Sequence, residues 1–290
     1  RFINFTENTV DVRANGAIGD NPTIDAIQIH SADNVLVNLN NITHIDTTSV
    51  GVARCYYGVD IYNSNAIVDK NNILVNTTSG TESGAAYPIQ LTSPFTVTVS
   101  NNNLTTVSRG PNTGIYAALS WTGGFGDLTV EGNIIDVTGY AVAGGYALVS
   151  GIEAEIDVAR VYENTIKVSN LADYDDTNPV YGVSIADSAY MSTDATADIR
   201  WNNMTVDGKY AVYYKSAVNT NVTFNELLAH ELEGNDAAFI ASGDNNYIDI
   251  NFPPYLPKII IEAHATWIGN NVPVNVTVVN TTGNVTIKVN

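Results

Sequence analysis

The chain is poor in cysteine: Cys55 is the only one in 290 residues. No internal disulfide can brace it, so packing and hydrogen bonds must supply its stability. A lone thiol of this kind is expected to be a small buried hydrophobe. Basic residues are scarce too, 12 Lys and Arg against 30 Asp and Glu, for a formal net charge of −18. A surface of that sign repels nucleic acid and anionic membranes and disfavours polyanionic substrates. No apolar run reaches the roughly 18 residues that a membrane-spanning helix needs. No stretch keeps a helical period with capping residues, which argues against a helical fold class. The opening "RFINFTEN" has neither Met nor a leader, so a piece of a longer protein is expected.

What is abundant is asparagine set among aliphatic residues at a fixed interval. The Asn recurs at Asn8, Asn40, Asn71, Asn102, Asn133, Asn164, Asn202, Asn225 and, in a truncated copy, Asn251. Three residues before it stand Phe5, Val37, Val68, Val99, Val130, Val161, Ile199, Val222 and Ile248. Two after it stand Val10, Ile42, Ile73, Leu104, Ile135, Ile166, Met204 and Leu227; the last copy fails there with Pro253. Four of the eight intervals are 31 and the first is 32, with one of 38 after Asn164, one of 23 after Asn202 and a last of 26. A repeat of this length marks a solenoid. Apolar and polar residues alternate on both sides of the Asn, as in Leu128 and Val130 or Ile135 and Val137. That is the period of a strand with one face buried. Each copy therefore reads as two strands meeting at a corner, followed by a third apolar run such as "YGVDIYNS".

Three strands per copy, stacked coil on coil, give an all-β right-handed parallel β-helix of eight to nine coils over residues 1–252. The corner Asn residues then form an internal ladder, because an amide carries two donors and an acceptor that its neighbours in the stack can satisfy. The extra residues of the longer coils are expected between the second strand and the third, putting the long loops on one side. The prolines of 253–257 mark a boundary. Beyond it, residues 258–290 are expected to hold a β-hairpin around Thr281, Thr282 and Gly283, either capping the stack or beginning an immunoglobulin-like module.

The Asn copies and the tail "VNVTVVNTTGNVTIKVN" resemble the adhesin-like surface proteins of methanogenic archaea. Those are pectin-lyase-like β-helices followed by immunoglobulin-like repeats. The resemblance implies display at the cell surface and attachment to glycans or proteins of other cells. It supplies no binding residues. Asn-x-Thr acceptors at Asn4, Asn41, Asn76, Asn103, Asn203, Asn221, Asn275, Asn280 and Asn284 fit an extracellular, glycosylated chain.

The same architecture hosts polysaccharide lyases and polygalacturonases, so catalysis has to be weighed. Of four motifs that polygalacturonases resemble one another in, only the paired Asp175 and Asp176 occur. A lyase would need an Arg or Lys base beside carboxylates on one outer sheet face. Glu131, Arg160, Asp198 and Arg200 supply both signs in neighbouring coils, and Asp136 should stand beside Lys167; surface ion pairs are the plainer reading. Asp173, Asp175 and Asp176, placed in the insertion that lengthens one coil, are the only candidates for holding Ca²⁺. Otherwise no cofactor is expected. His44 sits in an inward column and reads as a core histidine. Tyr57, Tyr87, Tyr116, Tyr146, Tyr181 and Tyr213 fall once per coil at the start of the third run. They are either core stacks or, if outward, a ligand-binding stripe; alternation supports both. The sequence thus points to a non-enzymatic extracellular adhesin, with a lyase and a plain spacer as the alternatives.

Overall fold

The computed structural model describes residues 1–14, 23–46, 55–77, 86–108, 112–118, 126–139, 149–171, 180–185, 196–207, 210–214, 221–229, 239–241, 246–251, 258–261, 265–269, 275–278 and 286–289. Every strand pairing in it is parallel. A coil consists of three strands, as in Asp127–Glu131, Ile134–Gly139 and Val149–Glu155. Each pairs with its counterpart one coil on: Val130 faces Val161, Ile135 faces Ile166 and Ile152 faces Val183. The chain is a right-handed parallel β-helix, as the repeat requires.

The third strands alone form a stack of ten, from Thr23–His30 to Asn275–Val278. The count exceeds eight to nine because the stack continues past the prolines, where a hairpin was expected. Lys258–Ile261 pairs in parallel with Asn275–Val278, and Ala265–Gly269 with Thr286–Val289. The two valine-rich runs therefore lie in different sheets and do not pair with each other. Residues 253–257 themselves lie outside the described residues.

The corner is built by one device repeated. The residue before each ladder Asn takes a left-handed conformation, with φ between 53° and 65° at Glu7, Leu39, Lys70, Asn101, Gly132, Glu163 and Trp201. Left-handed backbone costs an L-residue roughly 1–2 kcal/mol, and only one of these seven is glycine. The Asn offsets that cost. Asn133 Oδ1 accepts both the backbone N–H and the side-chain amide of Asn102, at 2.9 and 3.0 Å. Asn133 Nδ2 in turn donates to Val99 O at 2.9 Å and to Asn164 Oδ1 at 3.0 Å. The same bonds link Asn8 through Asn202 without a break. Every ladder Asn from Asn40 to Asn202 is buried. The pairings place Asn225 one coil beyond Asn202, but Asn251 falls opposite Glu226 after a register shift, so it stands outside the ladder column.

Inward columns fill the bore. Val37, Val68, Val99, Val130 and Val161 stack on one wall, Ile42, Ile73, Leu104, Ile135 and Ile166 on the next, and Val59, Ile89, Ile115, Ile152 and Val183 on the third, all essentially fully buried. Parallel strands in register make each column a continuous apolar stack. Connections of eight or nine residues recur between the second strand and the third, at 15–22, 47–54, 78–85, 140–148 and 171–179, as expected. Two of similar length, 119–126 and 186–195, lie instead between a third strand and the next first strand and break the one-sided rule. The 38-residue interval is therefore lengthened at 186–195. The connection 171–179, which contains Asp173, Asp175 and Asp176, is no longer than the corresponding 140–148 of the coil before.

Asn133→Ala removes two accepting contacts and three donating ones, to Val99 O, Glu131 O and Asn164 Oδ1, from the middle of the ladder. It should lower unfolding stability by about 1–3 kcal/mol, because buried neighbours are left unpaired. Urea denaturation checks this, and an unchanged midpoint would show that the corner holds without the amide.

Candidate functional site

Two outer faces carry chemistry. The first belongs to the third strands. On it the alternation is broken by a glycine: a Cβ on Gly58 would lie 2.5 Å from Ile73 Cγ2, and one on Gly114 2.4 Å from Ile135 Cγ2. Gly58 and Val59 thus both face the bore, which puts Tyr57 and Asp60 outside together. This extra inward residue is why alternation gave opposite answers for Tyr57 and Tyr116.

Tyr57, Tyr87 and Tyr116 stack in sequence, with centroids 5.5 and 5.1 Å apart. They do not form one column, since Tyr57 pairs with Tyr87 but Tyr116 pairs with Gln90. Tyr181 follows Ser150 in register and is half-buried. Tyr213 follows Ser184, and Tyr146 lies outside the described residues, as do Asp173, Asp175 and Asp176. Nor is the stripe open: Tyr57 is only 7% exposed.

Carboxyls are buried among these rings. Asp60 is fully buried and its acid is pushed up to about 7, by desolvation first and then by Asp25. Gln28 Nε2 donates to Asp25 Oδ2 at 2.8 Å and more weakly to Asp60 Oδ2 at 3.4 Å. Glu153 is raised to about 8, again by burial, with Glu155 adding repulsion. Burial also raises the Tyr57, Tyr87 and Tyr116 phenols. Burial thus favours the neutral form of both acids on this face.

On the inside, His44 fills its column as expected. Its Nδ1 lies 3.1 Å from Tyr57 O, and desolvation lowers its basicity, so it is a neutral core histidine. Cys55 is half-buried at the sheet margin rather than in the core.

The second face belongs to the first strands and is open. Arg160 pairs in register with Asp198, and Tyr162 with Arg200. Arg160 Nη1 forms an ion pair with Asp127, one coil back. Asp198 accepts from Arg200 Nε at 2.5 Å and from Tyr162 Oη at 2.9 Å. Burial and the bond to Asp198 push the Tyr162 phenol up to about 12, and the same carboxylate raises Arg200. Trp201 stands at the corner with the Arg200 guanidinium 5.9 Å over its ring and Tyr162 6.5 Å away, and remains 52% exposed. A hollow of about 310 Å³ lies between the strands, lined by Arg160, Thr196, Asp198 and Arg200.

The sequence placed Arg160, Asp198 and Arg200 together, and Asp136 beside Lys167 at 3.7 Å. It missed Asp127, Tyr162 and Trp201. Outward alternation pointed to the first two; nothing in the repeat marked the third. A larger hollow of about 470 Å³ lies on the same face near the first coils, against Phe2, Leu36 and Ile67. It is apolar and offers no charged group to orient a polar ligand. Among the described residues no three His, Cys, Asp or Glu side chains come together as a metal site would require. Compared with family models, curated proteins and solved structures, the chain matches none of them.

Glu153 gives a pH test. Its neutral form is favoured in the fold, whereas an unfolded glutamate ionises near 4.5. The stability it contributes is thus complete below that value and is lost as pH rises through about 8. Glu153→Gln, always neutral, should lose less melting temperature than the parent between about pH 5 and pH 9. Thermal scans by circular dichroism check this; parallel losses in the two proteins would refute it.

Proposed function

We propose that the chain is a non-enzymatic adhesin of the extracellular cell surface, of the kind displayed by methanogenic archaea, attaching to glycans or proteins of other cells. The observation that carries the reading is the open first-strand face, where a shallow hollow is lined by Arg160, Asp198 and Arg200 and Trp201 stands exposed at the neighbouring corner, under the Arg200 guanidinium. Such a face suits contact with a surface rather than enclosure of a small molecule. The acceptors Asn41, Asn103 and Asn203 are exposed, as glycosylation at the cell surface would need.

A shallow site of this size buries little area, and contacts below about 1,200 Å² are typically weak. Dense display multiplies them by roughly 10²–10⁴ in avidity. Soluble protein should therefore bind candidate cells poorly while protein-coated beads hold firmly. Tight binding by the soluble monomer would contradict the avidity argument, and failure of the beads would favour the spacer reading.

A polysaccharide lyase is the second reading, because Arg160 does stand beside Asp127 and Asp198 on one sheet face. Against it, each guanidinium of the hollow is engaged by a carboxylate, Arg160 by Asp127 and Arg200 by Asp198, rather than standing free beside a substrate. The adhesin reading expects no unsaturated product from polygalacturonate with added Ca²⁺. Ultraviolet absorbance of released product, abolished by Arg160→Ala, would establish the lyase instead.

A further inference from the structure

We infer that the hollow lined by Arg160, Asp198 and Arg200, with Trp201 at its neighbouring corner, binds a neutral, hydroxyl-rich glycan chain laid across the coils. This rests on the adhesion reading and names the ligand class for it. The charge pattern comes first. Two guanidiniums and two carboxylates meet here, and they neutralise one another as Arg160 with Asp127 and Arg200 with Asp198. Glu131, opposite Tyr162 in register, and Glu163 beside it add exposed negative charge on the neighbouring coils. An anionic ligand meets these carboxylates on a chain of net charge −18. A cationic ligand finds both carboxylates already covered by arginine.

A polyol fits both kinds of group. In the bonds described, each guanidinium gives one of its N–H donors to a carboxylate. A guanidinium has five donors, so both retain more to offer, while the carboxylates keep unused lone pairs. Vicinal hydroxyls both donate and accept, and can bridge such a pair without adding a charge to be neutralised. The bond from Tyr162 Oη, at 2.9 Å, fixes Asp198 before any ligand arrives.

The aromatic ring gives the ligand its other half. Arg200 lies over the Trp201 ring, yet the side chain stays 52% exposed at the corner beside the hollow. An exposed indole beside paired charges presents an apolar surface to the C–H face of a pyranose. Arg160 and Asp198 sit on successive coils, about 4.8 Å apart. That is close to the length of one sugar unit, so a chain running along the solenoid axis meets one coil per unit.

The test is titration calorimetry of the parent with neutral mannose and glucose hexamers, an anionic galacturonate hexamer and a cationic glucosamine hexamer. A neutral hexamer should bind, and Trp201→Asn and Arg160→Ala should each weaken it by about tenfold or more. Asn tolerates the left-handed backbone at Trp201, so that variant keeps its fold, which melting curves verify. The assignment is overturned if no neutral hexamer binds the parent, if a charged hexamer binds more tightly, or if both variants bind as the parent does. Coated beads separate the two readings. If parent and Trp201→Asn beads hold equally to cells, adhesion stands and this site is refuted. If the hexamer binds but parent beads do not hold, the site stands and adhesion falls.

Discussion

Everything in this molecule depends on a corner that the backbone resists. Seven coils turn through a left-handed residue, and six of those seven positions carry a side chain that disfavours the conformation. What holds the turn is the following Asn, whose amide ties the corner to the coil on either side. Asn102 shows the pattern: its Nδ2 reaches Val68 O at 2.8 Å and Asn133 Oδ1 at 3.0 Å, while its Oδ1 takes the backbone N–H of Asn71 at 2.9 Å. The bonds are buried and cooperative, so each coil is held by its neighbours more than by its own sequence. The corner in turn fixes where the flanking strands start, and hence which residues face the bore.

A second constraint acts on the outer face of the third strands. Burying Asp60, Gln90 and Glu153 would be prohibitive if the acids stayed charged. They lie among stacked tyrosines, and burial shifts the carboxyls toward their neutral form. Gln90 Oε1 and Asp60 Oδ1 still lack a partner, which leaves this sheet with polar strain that the Asn corner does not have. The two polar systems are opposites: one fully satisfied and regular, the other irregular and only partly satisfied.

The regular system was the legible one. An Asn between aliphatic residues at constant spacing announces both the ladder and the inward columns, because a stack in register repeats its requirements. The left-handed residue before the Asn was invisible, since Glu7, Leu39, Lys70, Glu163 and Trp201 share no property that signals it. The tyrosines were unreadable because Gly58 inserts an inward position and reverses the parity of what precedes it. The apparent C-terminal hairpin was misread for a related reason. A Gly-containing stretch between valine runs looks the same in sequence whether the runs pair with each other or each with a strand of the preceding coil. The partner of Arg160 was missed because Asp127 lies at a different offset from its Asn, a diagonal contact that a column-by-column reading passes over.

The candidate site follows from how a solenoid separates its inner and outer residues. Along the first-strand face the outward positions run from Thr98 to Thr129, Arg160 and Asp198, while the inward neighbours remain Val99, Val130, Val161 and Ile199. The core therefore does not register the change from threonine to charge. An outward side chain can be exchanged at little cost to packing, since substitutions away from buried features shift stability only slightly. The backbone still holds each new group at the strand spacing and in fixed register. Chemistry confined to two or three coils is thus placed as rigidly as the core beneath it, although the pattern that builds the fold does not encode it. On the face from Asp127 to Trp201 the outward residues depart from the threonines of the coils before, and there side-chain identity, rather than the repeat, would decide what can bind.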